Sequence, residues 1–227
     1  MARILIPARS PEDWKTYLAQ PKRHWKKGYS AWALAHCWHR PKGFPEEVSK
    51  VFLGSGMKVF EGLEPLLILP EHRVSLPGGS RPSQSDIWVL GRSGNDLVSI
   101  TVEGKVRESF GDTLARWLQN ASAGKMTRLE FLVDVLGFSQ KPPRGTRYQL
   151  MHRTASALVE AKEFTAAHAM MMVHSFSETD DGFDDYASFV SLFGANARLN
   201  GVAPAGQRDG VDLYFAWIRG DRRWVED

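Results

Sequence analysis

Leu97-Val98-Ser99-Ile100-Thr101-Val102-Glu103-Gly104-Lys105-Val106 is the stretch on which the reading of this 227-residue chain turns. Side chains alternate across an extended strand. Val98, Ile100, Val102 and Val106 therefore share an apolar face, and Ser99, Thr101, Glu103 and Lys105 share the opposite one. A carboxylate and an ammonium two residues apart thus project together from a strand anchored by its reverse side. The pair alone says little, because Glu160-Ala161-Lys162 repeats it where the spacing is helical and residues two apart diverge.

The preceding segment supplies a partner. Asp86–Leu90 reads as a strand, joined to the first through Gly91-Arg92-Ser93-Gly94-Asn95-Asp96, a loop rich in hairpin residues. If Leu90 faces Leu97, Asp86 falls opposite Thr101 and diagonal to Glu103 on the same face. A bulge would break that parity. Two carboxylates beside the Gly104 carbonyl suit Mg²⁺ or Mn²⁺, which take oxygen ligands and keep waters for a substrate phosphate. Such a metal lowers the pKa of bound water and neutralises charge on the phosphate. Lys105 can orient that water or stabilise the charge of the transition state. Glu71 and His72 can enter the same cleft, with a turn of no chemical role as the alternative.

Around this pair the periodicity predicts helices over 31–39, capped by Ser30, and over 46–60, opened by Pro45. Strand character follows at 66–69, extending through 72–76. Helices are expected over 111–121, 125–137 and 146–166, the last with Tyr148, Met151, Ala155, Leu158 and Val159 at helical spacing. Met-rich residues 169–176 suit a buried strand, and a helix over 184–195 and a strand over 211–218 finish the chain. The expectation is one α/β domain over 1–227 with a mixed central sheet flanked by helices. Its core covers about 45–176, with a basic N-terminal segment (1–44) and a C-terminal addition (177–227).

Composition bounds the function. Hydrophobic residues are 43% and charged residues 24%, which is globular and argues against disorder. The single cysteine, Cys37, excludes an internal disulfide framework and fits a reducing, cytoplasmic setting. The apolar opening Ile4–Pro7 is too short for a signal peptide, and no stretch reaches the roughly 18 apolar residues of a membrane span. The net charge of +3 conceals an asymmetry. Residues 1–60 hold eleven Lys/Arg against four Asp/Glu, a net of +7, so the remainder carries −4. Much of the excess lies in Pro21-Lys22-Arg23-His24-Trp25-Lys26-Lys27, where basic and aromatic residues interleave. Lys22, Arg23, Lys26 and Lys27 can follow a phosphate backbone. A solvated lead-in segment is the alternative.

Asp86 followed by Glu103-Gly104-Lys105 on consecutive strands resembles the PD-(D/E)xK superfamily, the restriction-endonuclease-like nucleases, over about residues 45–176. The resemblance implies a restriction-endonuclease-like core and metal-dependent hydrolysis of phosphodiesters. Asp86 and Glu103 would be ligands, the Gly104 carbonyl a further one, and Lys105 the catalytic cation. It implies nucleic acid as partner, DNA ahead of RNA, with a homodimer as an open assembly state and no membrane. Gln149 enters as a residue that some members place near the metal from a following helix, against a solvated helix face as the alternative. Two departures stand out. No proline directly precedes Asp86, and the extra first-helix acid has three candidates, Glu47, Glu61 and Glu64. Loss of catalysis with retention of nucleic-acid binding or an assembly role is the alternative function. Elsewhere, His36 and His39 stand three apart on a helix, but no further Cys/His pair completes a zinc set. Gly124-Lys125-Met126-Thr127 lacks the upstream glycine of a phosphate loop.

Overall fold

The helix that Pro45 opens stops at the first glycine it meets. It runs Glu46–Gly54, and Gly56 then turns the chain into a 3-10 turn over Lys58–Phe60, where a single helix to residue 60 was expected. In the computed structural model, which describes residues 3–4, 8–39 and 41–226, the elements follow in chain order. They are β1 Arg3–Ile4, a 3-10 helix Pro11–Tyr17, α1 Pro21–His24, α2 Ser30–His39 and α3 Glu46–Gly54. Three long strands come next, β2 Glu64–Val74, β3 Ser83–Ser93 and β4 Asp96–Lys105. Helices α4 Leu114–Trp117, α5 Ala123–Val135 and α6 Tyr148–Glu163 precede β5 His168–Ser175. Helix α7 Phe183–Ser191, β6 Gly201–Arg208 and β7 Val211–Arg219 follow, and a 3-10 turn over Arg222–Trp224 comes last. Of the apolar opening, Leu5–Pro7 lie outside the described residues.

The strands form one mixed sheet in the order β1-β2-β3-β4-β5-β7-β6. Pairs β2/β3, β3/β4 and β6/β7 are antiparallel, and β4/β5 and β5/β7 are parallel. Central β5 is buried along Ala169–Ser175, as a strand covered on both faces must be. One apolar layer packs α2 and α3 on Ile87, Val98, Ile100, Val102, Met170 and Ala216. The other packs α5, α6 and α7 on Met171, Val173, Phe215 and Trp217.

Other expectations change as well. The β3/β4 hairpin turns on two residues, because Ser93 pairs with Asp96 and Gly94 has φ +58. Glycine at the first central position is what a II′ turn uses. The ladder therefore sets Leu90 against Ser99, not Leu97, and places Asp86 next to the Ile87/Val102 pair at the level of Glu103. Face parity survives this two-residue shift, because an even shift keeps the same side. The N-terminal segment and the C-terminal addition are not peripheral. Helix α2 covers the sheet, and β7 lies beside β5 within it. No described helix is long and apolar enough to cross a membrane.

Candidate active site

Strand β4 ends under the first turns of α6, and that meeting creates the site. Gln149 and Arg153 stand four apart and share one helix face. That face meets Thr101, Glu103 and Lys105, so the polar side of β4 is roofed by α6 and does not face solvent. Thr101 Oγ1 donates to the Arg153 carbonyl at 3.1 Å. Glu103 and Lys105 are each only 3% exposed.

Every Glu103 oxygen is engaged. Oε1 accepts from Lys105 Nζ at 2.7 Å and Gln149 Nε2 at 2.7 Å, and Oε2 accepts from Arg153 Nε at 2.7 Å. Lys105 also donates to Gln149 Oε1 at 3.3 Å and lies 4.8 Å from the Phe110 ring centroid. A buried carboxylate would ordinarily resist ionising. Here Lys105 and Arg153 outweigh burial and hold the Glu103 carboxyl below its usual range.

Asp86 is placed by the backbone as much as by its side chain. The β3/β4 ladder ends at Ile87/Val102, and the Gly104 N–H donates to Asp86 Oδ2 at 2.7 Å. Burial and the neighbouring Glu103 raise the Asp86 carboxyl to about 7, against the opposing pull of Arg153 and Lys105. Glu71 joins from β2, next to the Pro70/Ile87 pair. Its φ of +53 puts a non-glycine residue in the left-handed region inside a strand, a conformation costing about 1–2 kcal/mol. Gln84 Nε2 donates to its Oε2 at 2.6 Å. Burial and Asp86 raise the Glu71 carboxyl to about 8. Glu71, Asp86 and Arg153 line a cleft of about 270 Å³ whose other wall includes Gln20, His24 and Tyr29 of the N-terminal segment.

The structure thus brings Asp86, Glu103, Lys105 and Gln149 together. Gln149 is part of the site, so its reading as a solvated helix face is overturned. Arg153, not singled out above, is the buried neighbour that α6 adds, and Glu71 is the third acid. The first-helix candidates lie elsewhere: Glu47 bonds Cys37 and His174, Glu64 faces Arg92, and Glu61 closes an exposed turn. Gly104 has a packing reason as well. A Cβ there would stand 2.4 Å from Leu34 Cδ1 of α2. Lys22, Arg23, Lys26 and Lys27 are exposed around α1, whose His24 lines the cleft.

A second ligand-like group lies on the other face. Ligand atoms of Cys37, Glu47 and His174 all lie within 4.8 Å of one another. Trp38 Nε1 donates to His174 Nδ1 at 3.0 Å, so the ring proton resides on Nε2, 3.3 Å from Glu47 Oε1. A metal-bound imidazole offers Nε2 as a lone pair and donates from Nδ1, the reverse arrangement. Burial and Glu47 also raise the Cys37 thiol, which donates to Glu47 at 3.3 Å. The group is a hydrogen-bonded lock joining α2, α3 and β5. His36 bonds the Trp32 carbonyl and stacks on that ring, while His39 meets Trp14 edge-on, so the two do not form a chelate.

An α/β protein with a polar, charge-dense cleft at the end of a mixed sheet is the class these features define. Residues 7–222 match the family described as a domain of unknown function (DUF6946), and the chain belongs to that family. No curated protein and no solved structure matches the chain.

Proposed function

We propose that the chain is a metal-dependent nuclease of the PD-(D/E)xK kind that hydrolyses phosphodiester bonds in nucleic acid, DNA ahead of RNA. The observation that carries this reading is the buried cluster that Glu103, Lys105 and Gln149 form by hydrogen bonds, with Asp86 of the adjacent strand held beside it by the Gly104 N–H. The succession of α3, the strands β2, β3 and β4, the helices α4, α5 and α6, and then β5 supports a restriction-endonuclease-like core. The donor set fits Mg²⁺ or Mn²⁺. Lys105 and Arg153 compensate Glu103, whereas burial and repulsion among the acids raise the Asp86 and Glu71 carboxyls, a cost that a bound cation would relieve. Asp86 and Glu103 would hold the ion, which would supply water activation and neutralisation of the phosphate. Lys105, held by Gln149 and Glu103, places an ammonium beside the acids to meet charge on the phosphate oxygens. Gln149 fixes the Glu103 carboxylate through Oε1.

One observation favours a second reading, a nucleic-acid-binding or assembly module without catalysis. Both Glu103 oxygens are occupied by protein donors, Arg153 among them, as in a structural charge cluster. Single- and double-stranded DNA and RNA, incubated with Mg²⁺ or Mn²⁺, separate the two. On the nuclease reading, Asp86→Asn, Glu103→Gln and Lys105→Met lower cleavage by about 100-fold or more while binding survives. Salt-sensitive binding with no cleavage by the unaltered chain establishes the second reading. Cleavage that persists in Glu103→Gln removes the first.

A further inference from the structure

Behind the acid cleft lies a separate cavity of about 480 Å³, walled by the Gly78–Pro82 loop and the starts of α5 and α6. Its lining includes Arg81, Lys125 and Arg128 and no carboxylate, in a chain with 26 acidic residues. Charges of one sign on low-dielectric walls focus potential into a cavity. Arg128 is bound by dipoles alone among the described residues. It donates to the Leu76 carbonyl at 2.8 Å, to the Arg81 carbonyl at 3.2 Å and to that of Pro77, so its charge meets no acid. Lys125 Nζ donates to the Trp117 carbonyl, which uses one of its three hydrogens. Arg81 is exposed at the rim and makes no ion pair among the described residues.

The walls are closely packed. A Cβ on Gly78 would lie 2.3 Å from both Arg128 N and Gly124 O, so the loop backbone rests directly on the first turn of α5. Trp117 and Tyr148 stack with centroids 4.0 Å apart and brace the remaining side. The rear wall is wired to the acid cleft. Ser83 Oγ and His152 Nδ1 are 2.8 Å apart, Arg153 Nη1 reaches Ser83 Oγ at 3.4 Å, and Arg153 Nε holds Glu103.

We infer that this cavity is an oxyanion site that takes a phosphate group, either free or within a nucleic-acid strand. The inference goes beyond the nuclease reading and does not depend on it, since nothing in the cavity belongs to the acid cleft. Amide NMR of the full chain in EDTA tests it, with sodium phosphate titrated against sodium chloride at equal ionic strength. Phosphate should shift the amides of Gly78, Gly79, Gly124 and Lys125, and Arg81→Glu should weaken that response about tenfold or more, as removal of one charge-assisted hydrogen bond does. Arg81 holds no other element, so the variant's remaining spectrum should be unchanged. A short single-stranded oligonucleotide that shifts the same amides and competes with phosphate identifies a strand phosphate as the ligand. Response to phosphate without the oligonucleotide identifies a free phosphate compound. Shifts absent in both titrations, or undiminished in Arg81→Glu, overturn the site. Because EDTA removes divalent ions, either result leaves the cleavage assay to be judged separately.

Discussion

Glu103 and Asp86 lie on the same face and at the same level of the sheet, yet their environments push them in opposite directions. Glu103 is flanked by two cations and lies below its ordinary range; Asp86 and Glu71 lie above theirs, at about 7 and about 8. A raised folded-state pKa means that the folded chain binds protons more tightly than the unfolded one. Stabilisation from Asp86 and Glu71 is therefore complete below the ordinary carboxyl range and is lost as pH rises through 7 to 8. Glu103 and Glu47 act oppositely, the latter held at about 2 where hydrogen bonds from His174 and Cys37 outweigh burial. Their contribution is present above the ordinary carboxyl range and lost as pH falls below it. In EDTA the melting temperature should accordingly be highest near roughly pH 5 and decline toward pH 8.5. Mn²⁺ added at the upper end should restore part of it. A melting temperature that climbs from pH 5 to 8.5 in EDTA would show that the two acids are not strained by charge. Asp86, Glu103 and Lys105 are legible from alternation alone. Glu71 enters as a cleft candidate without support from alternation, because a left-handed residue inside a strand leaves no periodic trace. Arg153 escapes the sequence because its residue type suggests solvent, while the packing of α6 buries it.

Helix α2 and strand β4 meet at Gly104, which explains why the residue between the acid and the base has no side chain. A Cβ there would lie 2.4 Å from Leu34 Cδ1, 2.9 Å from Leu34 Cγ and 3.2 Å from Ser30 Cβ. Gly104→Ala should cost about 1–3 kcal/mol in urea unfolding, the usual range for overpacking. Leu34→Ala in the same chain should recover part of that cost, since the two positions press on each other. Strict additivity of the two changes would mean that α2 does not press on Gly104. Elements with a strong local signal, such as the Ser30 cap of α2, the helical spacing of α6 and the apolar run of β5, read close to their bounds. Strand β6 does not, because Gly201, Pro204, Gly206 and Gly210 resemble loop punctuation. It is an edge strand with a register shift between Pro204 and Gln207, where proline and glycine are tolerated. The helix expected over 111–121 shrinks to Leu114–Trp117, bounded by Gly111 and Asn120, both with positive φ.

Across the whole molecule, the basic N-terminal segment ends beside the acid cleft, so the charge asymmetry of the chain becomes a local gradient around the site. Lys22→Glu with Arg23→Glu should weaken oligonucleotide binding and reduce the slope of log K against log salt by about 1 for each phosphate no longer neutralised. Both residues are exposed, so the unfolding free energy should change by no more than about 0.5 kcal/mol. An unaltered salt slope would place nucleic acid away from this segment. Sequence by itself determined the α/β class, the apolar face of β4 and the shared face of Asp86, Glu103 and Lys105, because alternation and helical spacing are local properties of the backbone. Only the tertiary structure decided that α6 roofs the polar face, that Arg153 holds Glu103, and that the two chain ends complete the sheet and cleft. Those outcomes depend on which surfaces meet across long separations, and no local periodicity records that.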